Sequence, residues 1–318
     1  MRGGCRGTDR TRFMSNVAPY PPLQGKVAIV SGAGRGIGEA TARRLVADGA
    51  QVVIGDVRDD LGRSVAEGLV PRAAYVHLDV ANQDDWCRAI EFTRATFGDP
   101  SILVCNAGIM LSSPFEKTTP DDFRRAFETN AIGVLVGIQA VLDPMRANGG
   151  GSVVILSSVA GLVGIEGLAA YCASKAANTM IARCAAIELS QYNIRVNSIH
   201  PGKVDTPMSS GAAVAAIGSA NASEPPPVGR IAEPADVAAL IAFLARDDAA
   251  YITGGQYVID GGRQAGYKYS KTVTPVLVPK RGRRRCFSRR RILRCVIRTG
   301  LSASRMSRSR LTKARSLH

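Results

Sequence analysis

At 318 residues the chain is long enough for one large domain or two modest ones, and its apolar content (46% of residues) contains few aromatics (5%), a balance that suits a sheet packed between helices and disfavours an aromatic-rich sandwich. Seven cysteines, odd in number and never in a C-x-x-C pair, argue against a disulfide framework or a zinc site and point to a reducing, cytoplasmic setting. The formal charge of +15 resides in the ends: residues 267–318 carry 17 Lys/Arg and no Asp or Glu, residues 1–13 carry four Arg against Asp9, and residues 14–266 hold 20 basic and 25 acidic side chains.

The first 25 residues contain no apolar core of a secretory signal. Their Arg-rich, acid-poor character faintly resembles a transit peptide, and an upstream extension before a natural start at Met14 explains it more plainly. The apolar stretch at 153–168 is short and broken by Ser, Gly and Glu166, so a soluble protein without a membrane span is expected.

From Lys26 onward two textures alternate. Short β-branched runs at residues 27–30, 51–54, 74–78, 102–104, 152–156, 194–199 and 257–259 predict strands. Between them, helical spacing of apolar residues predicts helices over 38–48, 84–97, 120–139 and 174–191. Strand–helix–strand alternation with near-continuous apolar strands predicts an α/β fold: a single doubly wound domain over residues 23–266, its parallel sheet covered by helices on both faces. Residues 1–22 read as a disordered extension and 267–318 as a disordered basic tail. Residues 209–228, small and proline-rich, read either as a substrate lid or as an ordinary variable loop.

The first predicted strand runs into Ser31-Gly32-Ala33-Gly34-Arg35-Gly36-Ile37-Gly38 and then a helix. Glycines there permit a pyrophosphate to approach the backbone, and the helix start offers N–H groups and a positive dipole end. A turn packed for steric reasons alone is the alternative. Asp56 closes the second strand, where a carboxylate accepts from ribose hydroxyls and repels a 2′-phosphate, favouring NAD over NADP. Arg35 pulls the other way, and Asp56 also suits a cap on the following helix.

The spacing of Gly32, Gly36 and Gly38 (Gly-x-x-x-Gly-x-Gly) resembles that of the short-chain dehydrogenase/reductase family, and further motifs agree in order over residues 23–262. Asp79-Val80 falls where the family contacts adenine. Asn106-Ala107-Gly108 resembles the end of its N-N-A-G, with Cys105 in place of the first Asn. Asn130 matches its helix asparagine, and Pro201-Gly202, Val204 and Thr206 match the P-G-x-x-x-T element that grips the nicotinamide. Leu156 stands where the family often has an Asn. The resemblance also implies a homotetramer built through the helix carrying Tyr171 and the final strand region.

Tyr171-Cys172-Ala173-Ser174-Lys175 is a Y-x-x-x-K on a predicted helix, which puts phenol and ammonium on one face; an amphipathic surface pair would look the same. Ser158, thirteen residues upstream, lies at the family's separation. The resemblance implies that Tyr171 is the general acid/base, that Lys175 holds the ribose and lowers the tyrosine pKa, that Ser158 bonds the reacting oxygen, and that Asn130 anchors a water relay. His77 and His200 read as structural, and no cluster has metal-ligand spacing, so no metal is expected.

The segments expected near substrate (109–115, 159–168 and 207–217) are mostly apolar, which fits a small hydrophobic alcohol or ketone. Tyr75–Val80 and Arg195–Gly202 resemble bacterial hydroxysteroid dehydrogenases of the family; reduction of 3-oxoacyl thioesters is the alternative. A different kind of activity, binding of nucleic acid or an anionic surface, attaches only to the basic runs 280–285 and 289–291, and the solvated-tail reading is preferred to it.

Overall fold

The computed structural model describes residues 21–210 and 225–266. The expectations for the N-terminal extension, for most of the 209–228 loop and for the basic tail lie outside them. The chain divides into a unit of residues 1–268 and one of residues 269–318, and all described residues belong to the first.

Seven strands form one sheet: β1 (Val27–Ser31), β2 (Gln51–Asp56), β3 (Ala73–His77), β4 (Ile102–Cys105), β5 (Gly151–Leu156), β6 (Ile194–Pro201) and β7 (Gln256–Ile259). All pairs are parallel, in the order β3-β2-β1-β4-β5-β6-β7. The order reverses between β1 and β4, and at such a switch point a crevice opens beyond the carboxyl ends of the strands. The predicted runs all become strands; in the central ones, burial on both sides favours uninterrupted apolar sequence, while the edge strands β3 and β7 are only partly buried. In β1, Ala28 and Val30 face one core, with Ala42, Leu45, Val237 and Ile241, while Ile29 faces the other, with Trp86, Ile138, Val141 and Met145. That is the period-two alternation of a strand.

The covering helices are α1 (Gly36–Ala47), α2 (Asp59–Glu67), α3 (Gln83–Thr96), α4 (Pro120–Phe127), α5 (Gly133–Ala147), α6 (Ala169–Leu189), the single turn α7 (Pro207–Ser210) and α8 (Pro234–Ala245). Two of them, the single turn α7 and α8, have no counterpart in the sequence reading, and α2 has one only as an unbounded helix after Asp56. In α2 a glycine interrupts the pattern, and the packing explains it: a Cβ on Gly62 would lie 2.2 Å from the Tyr75 ring. In α8 the sequence PADVAALIAFLA is apolar almost all round, so no stripe stands out. Its start is fixed by Pro234 behind a Glu233/Asp236 capping box, with Arg230 paired to Asp236 at 2.6 Å.

The helix predicted over 120–139 continues to Ala147 and is widened midway by a π turn, Glu128–Ile132. By length and composition the stretch Pro120–Ala147 would suffice to cross a membrane. Here Val134, Ile138, Val141 and Met145 bury its inner face in the core beside Trp86, as in a core helix. The π turn sets Asn130 fully inside the protein, and π turns of this kind recur at functional sites.

Candidate active site

The glycine loop between β1 and α1 is built by close contacts. Gly32 and Gly36 take φ of +64° and +60°, conformations that side-chain-bearing residues avoid. A Cβ on Gly32 would lie 2.7 Å from Ala107 Cα, and one on Gly38 only 2.2 Å from Gly32 O. Asn106 locks the loop to the end of β4, donating from Nδ2 to Ser31 O (3.0 Å) and Gly32 O (2.8 Å). The steric and ligand-binding readings of this loop therefore divide among its glycines: Gly32 and Gly36 line the crevice, while Gly38 lies behind it and serves packing. Gly38→Ala is expected to destabilise the fold by about 1–3 kcal/mol or more, since the methyl group meets a backbone carbonyl that cannot rotate away; a denaturation midpoint measures it.

Arg35 is the N-cap residue of α1 and provides no side-chain cap, so the first N–H groups of the helix remain available beside Gly36 and Ile37, where the crevice passes. An anionic diphosphate suits that end. Asp56 braces the backbone on both sides of the crevice without capping α2, whose N-cap is Arg58. Its Oδ2 accepts from Gly34 N (2.8 Å) and its Oδ1 from Arg58 N at the start of α2 (2.9 Å), while the residue still lines the crevice. Arg58 stands there beside Arg35, a second cation that the sequence reading passed over. Asp79 and Val80 line the same end, and Asp79 N is held by the buried Asp85 carboxylate at 2.9 Å. His77, at the end of β3, has Nδ1 2.6 Å from Asp59.

The crevice encloses about 630 Å³ and runs from these groups to Ser158, Tyr171 and Lys175. Beyond them its wall is apolar, formed by Met110, Val159, Ile165, Leu168 and Met208. Gly108, Pro201, Gly202, Val204 and Thr206 line it as well. This is a polar end for a nucleotide and an apolar end for a small organic molecule, meeting at a cluster of hydroxyl and amine groups.

Tyr171 lies half-buried near the start of α6, on the wall of the crevice with Ser158. Loss of water around the phenol pushes it above its ordinary pKa, and the Ser158 hydroxyl opposes that push. Ser158 Oγ accepts from Ala160 N at 3.1 Å. Lys175 is 4% exposed, and burial lowers its ammonium to about 8. Its Nζ donates to Leu156 O at 2.8 Å and lies 5.9 Å from the centre of the Tyr171 ring. Cys105, buried close to Lys175, has its thiol pushed up to about 12 by burial and stays neutral.

Asn130 sits behind this cluster and does not line the crevice. Its Oδ1 accepts from Ile109 N (2.8 Å), and its Nδ2 donates to Ile109 O (2.9 Å) and Ser174 Oγ (2.9 Å). Both amide hydrogens are engaged, so the side chain braces the β4 loop against α6. Gly108 is the opening between the two groups: a Cβ there would lie 3.1 Å from Asn130 Oδ1 and 3.3 Å from Lys175 Nζ. Ser157, which the sequence reading did not single out, donates from Oγ to Lys175 O at 2.7 Å and anchors α6 to the end of β5. Among the described residues no group of His, Cys, Asp or Glu side chains is arranged to hold a metal ion.

A fold of this topology with Ser, Tyr and Lys at the mouth of a dinucleotide crevice defines a nicotinamide-dependent oxidoreductase, and comparison with known proteins narrows the class. A family model described as enoyl-(acyl carrier protein) reductase matches residues 32–264. The chain is 41% identical over 248 residues to 3-alpha-(or 20-beta)-hydroxysteroid dehydrogenase of Mycobacterium tuberculosis, covering 78% of this chain and 93% of that one. It is 40% identical over 250 residues to trans-4-hydroxycyclohexanecarboxylate dehydrogenase of Sinomonas cyclohexanicum, with coverage of 76% and 93%. The crystal structure of a short-chain type dehydrogenase/reductase from Mycobacterium marinum is similar with a TM-score of 0.73 and 31% identity, over 77% of this chain and 98% of that one. The chain belongs to the short-chain dehydrogenase/reductase family.

Proposed function

We propose that this protein transfers hydride between NAD(H) and an alicyclic secondary alcohol or its ketone, a hydroxysteroid or a smaller cycloalkanol, with Tyr171 as general acid/base. The observation that carries the reading is that the Ser158, Tyr171 and Lys175 side chains line one crevice together with the residues of the glycine loop and with an apolar wall. A carbonyl oxygen entering beside Ser158 and Tyr171 meets two O–H donors, and charge developing on it during reduction is stabilised by both. Tyr171 gives up its proton to that oxygen, or takes one from the alcohol in the reverse direction. Nicotinamide, when bound, supplies or accepts the hydride. Lys175 holds the ribose, and the open N–H groups at the start of α1 hold the diphosphate.

NAD is preferred to NADP on the strength of Asp56. Its two carboxylate oxygens already accept backbone N–H groups, which fixes a negative charge where an additional phosphate would lie. Arg35 and Arg58 oppose this from the same end. The substrate class rests on the apolar wall and on the two relatives, whose names describe secondary alcohols on alicyclic frameworks: a hydroxysteroid and a hydroxycyclohexanecarboxylate. A homotetramer in the cytoplasm is proposed with it. The outer surface of α6 exposes Met180 (54%) and Ile187 (78%), and β7 exposes Val258 (45%), apolar faces suited to contact with further copies; native mass determination reads the assembly directly.

The test is reduction by the full chain of a 3-oxosteroid, cyclohexanone and a 3-oxoacyl thioester, each with NADH and with NADPH. The expected result is turnover of the alicyclic ketones with NADH. Turnover of the thioester with NADPH would overturn both the substrate class and the argument from Asp56.

A further inference from the structure

β5 and β6 pair in register as far as Leu156 and Ile199, and the last backbone bond between them runs from Ser157 N to Ile199 O at 2.9 Å. The backbone of β6 cannot extend that ladder. Pro201 has no N–H, and Gly202 N turns to Ile259 O at 2.9 Å. The next cross-strand donor comes from a side chain. His200 is fully buried, with Nδ1 3.0 Å from Ser158 O and Nε2 3.1 Å from Ser198 Oγ.

Elementary chemistry fixes the direction of these bonds. A carbonyl oxygen only accepts, so Nδ1 carries the hydrogen and Nε2 is the acceptor. The Ser198 hydroxyl can satisfy it. Its other acceptor, Gly255 O at 3.3 Å, already receives Ser198 N at 3.0 Å. Burial, reinforced by the positive charges of Lys175 and Arg183, keeps the ring below its ordinary pKa, so it remains neutral in this one tautomer.

We propose that His200 is a positioning residue for Ser158: its Nδ1–H, aimed by Ser198 through Nε2, holds the main chain from which the Ser158 hydroxyl projects to Tyr171. The proposal rests on the reading of Ser158 as the hydroxyl that meets the reacting oxygen. Ser158 is one of two adjacent anchored residues. Ser157 ties the segment to α6 through Lys175 O, and His200 ties it to β6, whose next residues, Pro201 and Gly202, line the crevice. Together they set the distance between the hydroxyl pair and the cofactor wall. Ser158 O also accepts from Gly161 N at 2.9 Å, a bond within its own turn; without the histidine the carbonyl keeps that local donor but loses its tie to β6, and the hydroxyl is free to shift with the turn.

Two measurements on the full chain test this. The first is the tautomer of His200 in proton–nitrogen correlation spectra of nitrogen-labelled protein, where three histidines give few signals and His200→Asn assigns the one that matters. A neutral, Nδ1-protonated ring across the neutral pH range is expected; an Nε2–H tautomer or a charged ring overturns the proposal. The second compares His200→Asn, whose amide nitrogen replaces Nδ1, with His200→Gln, which reaches the Nε2 position, and with His200→Leu. The substrate is whichever ketone of the panel above the wild type reduces. The Gln and Leu variants are expected to lower kcat by roughly 10–100-fold, the effect of a displacement of about 1 Å near the reacting atoms, with KM and cofactor affinity kept. His200→Asn should recover most of the loss. Equal losses in all three, or losses confined to KM, overturn the proposal. Ser158→Ala, assayed in parallel, separates the two ideas: wild-type kcat in that variant would sink the reading of Ser158, whatever the histidine spectra show.

Discussion

Tyr171→Phe is expected to lower kcat by about 10²–10⁴-fold, the range contributed by a positioned general acid or base, while cofactor affinity stays near that of the wild type. The change removes one hydroxyl and leaves the ring in place, and the diphosphate end of the crevice, at Gly36 and Ile37, is formed by other residues. The burial that raises the Tyr171 pKa gives the reaction a direction-dependent pH response. A phenol held above its ordinary value keeps its proton at neutral pH, so ketone reduction proceeds with the acid already in place. Alcohol oxidation needs the phenolate and should accelerate as pH rises. Opposite pH trends for the two directions, both lost in the Phe variant, are the expected outcome of steady-state assays. A Phe variant within tenfold of wild type would remove Tyr171 from the chemistry.

Lys175→Met is expected to separate stability from activity. The Lys175 ammonium is buried, and its pKa falls from 10.5 to about 8. Between those two values the unfolded chain binds a proton that the folded chain does not, so stability rises with pH across that window. Below it the folded state carries the whole cost of burying the charge, at most about 3 kcal/mol, reduced by the hydrogen bond to Leu156 O. Methionine fills similar space without a charge. The variant should therefore unfold at higher denaturant concentration than wild type at neutral pH, with the difference shrinking as pH climbs from about 8 towards 10.5. Its kcat/KM should fall by about 100-fold or more, because the ribose loses the group that orients it. A variant that is less stable at neutral pH would show that the ammonium is paid back by its surroundings.

The strands were legible because a parallel sheet buried on both sides demands continuous β-branched sequence, and β1, with every residue buried, is the plainest case. The glycine loop, Asp56 and the Tyr171/Lys175 pair were legible as short motifs whose spacing is set by a single turn or helix. Four features were not. In α8 the apolar residues run all round the helix, so there was no period to detect. The π turn at Asn130 adds a residue to a helical turn without any composition signal. The bond from His200 to Ser158 joins residues 42 apart, and only the register of β5 against β6 brings them together. The Ser157 contact with Lys175, 18 residues away, is a fourth, set by the packing of α6 against the end of β5. What the sequence carried was the local geometry of each functional group; the mutual geometry of the groups belongs to the packed sheet.

The most direct test of the central claim is oxidation of cyclohexanol deuterated at its carbinol carbon by the full chain with NAD, with the mass of the reduced cofactor as the readout. Direct transfer between a secondary alcohol and the nicotinamide predicts reduced cofactor that carries the deuterium. Reduced cofactor without the label, or no reduction of NAD, would contradict the account.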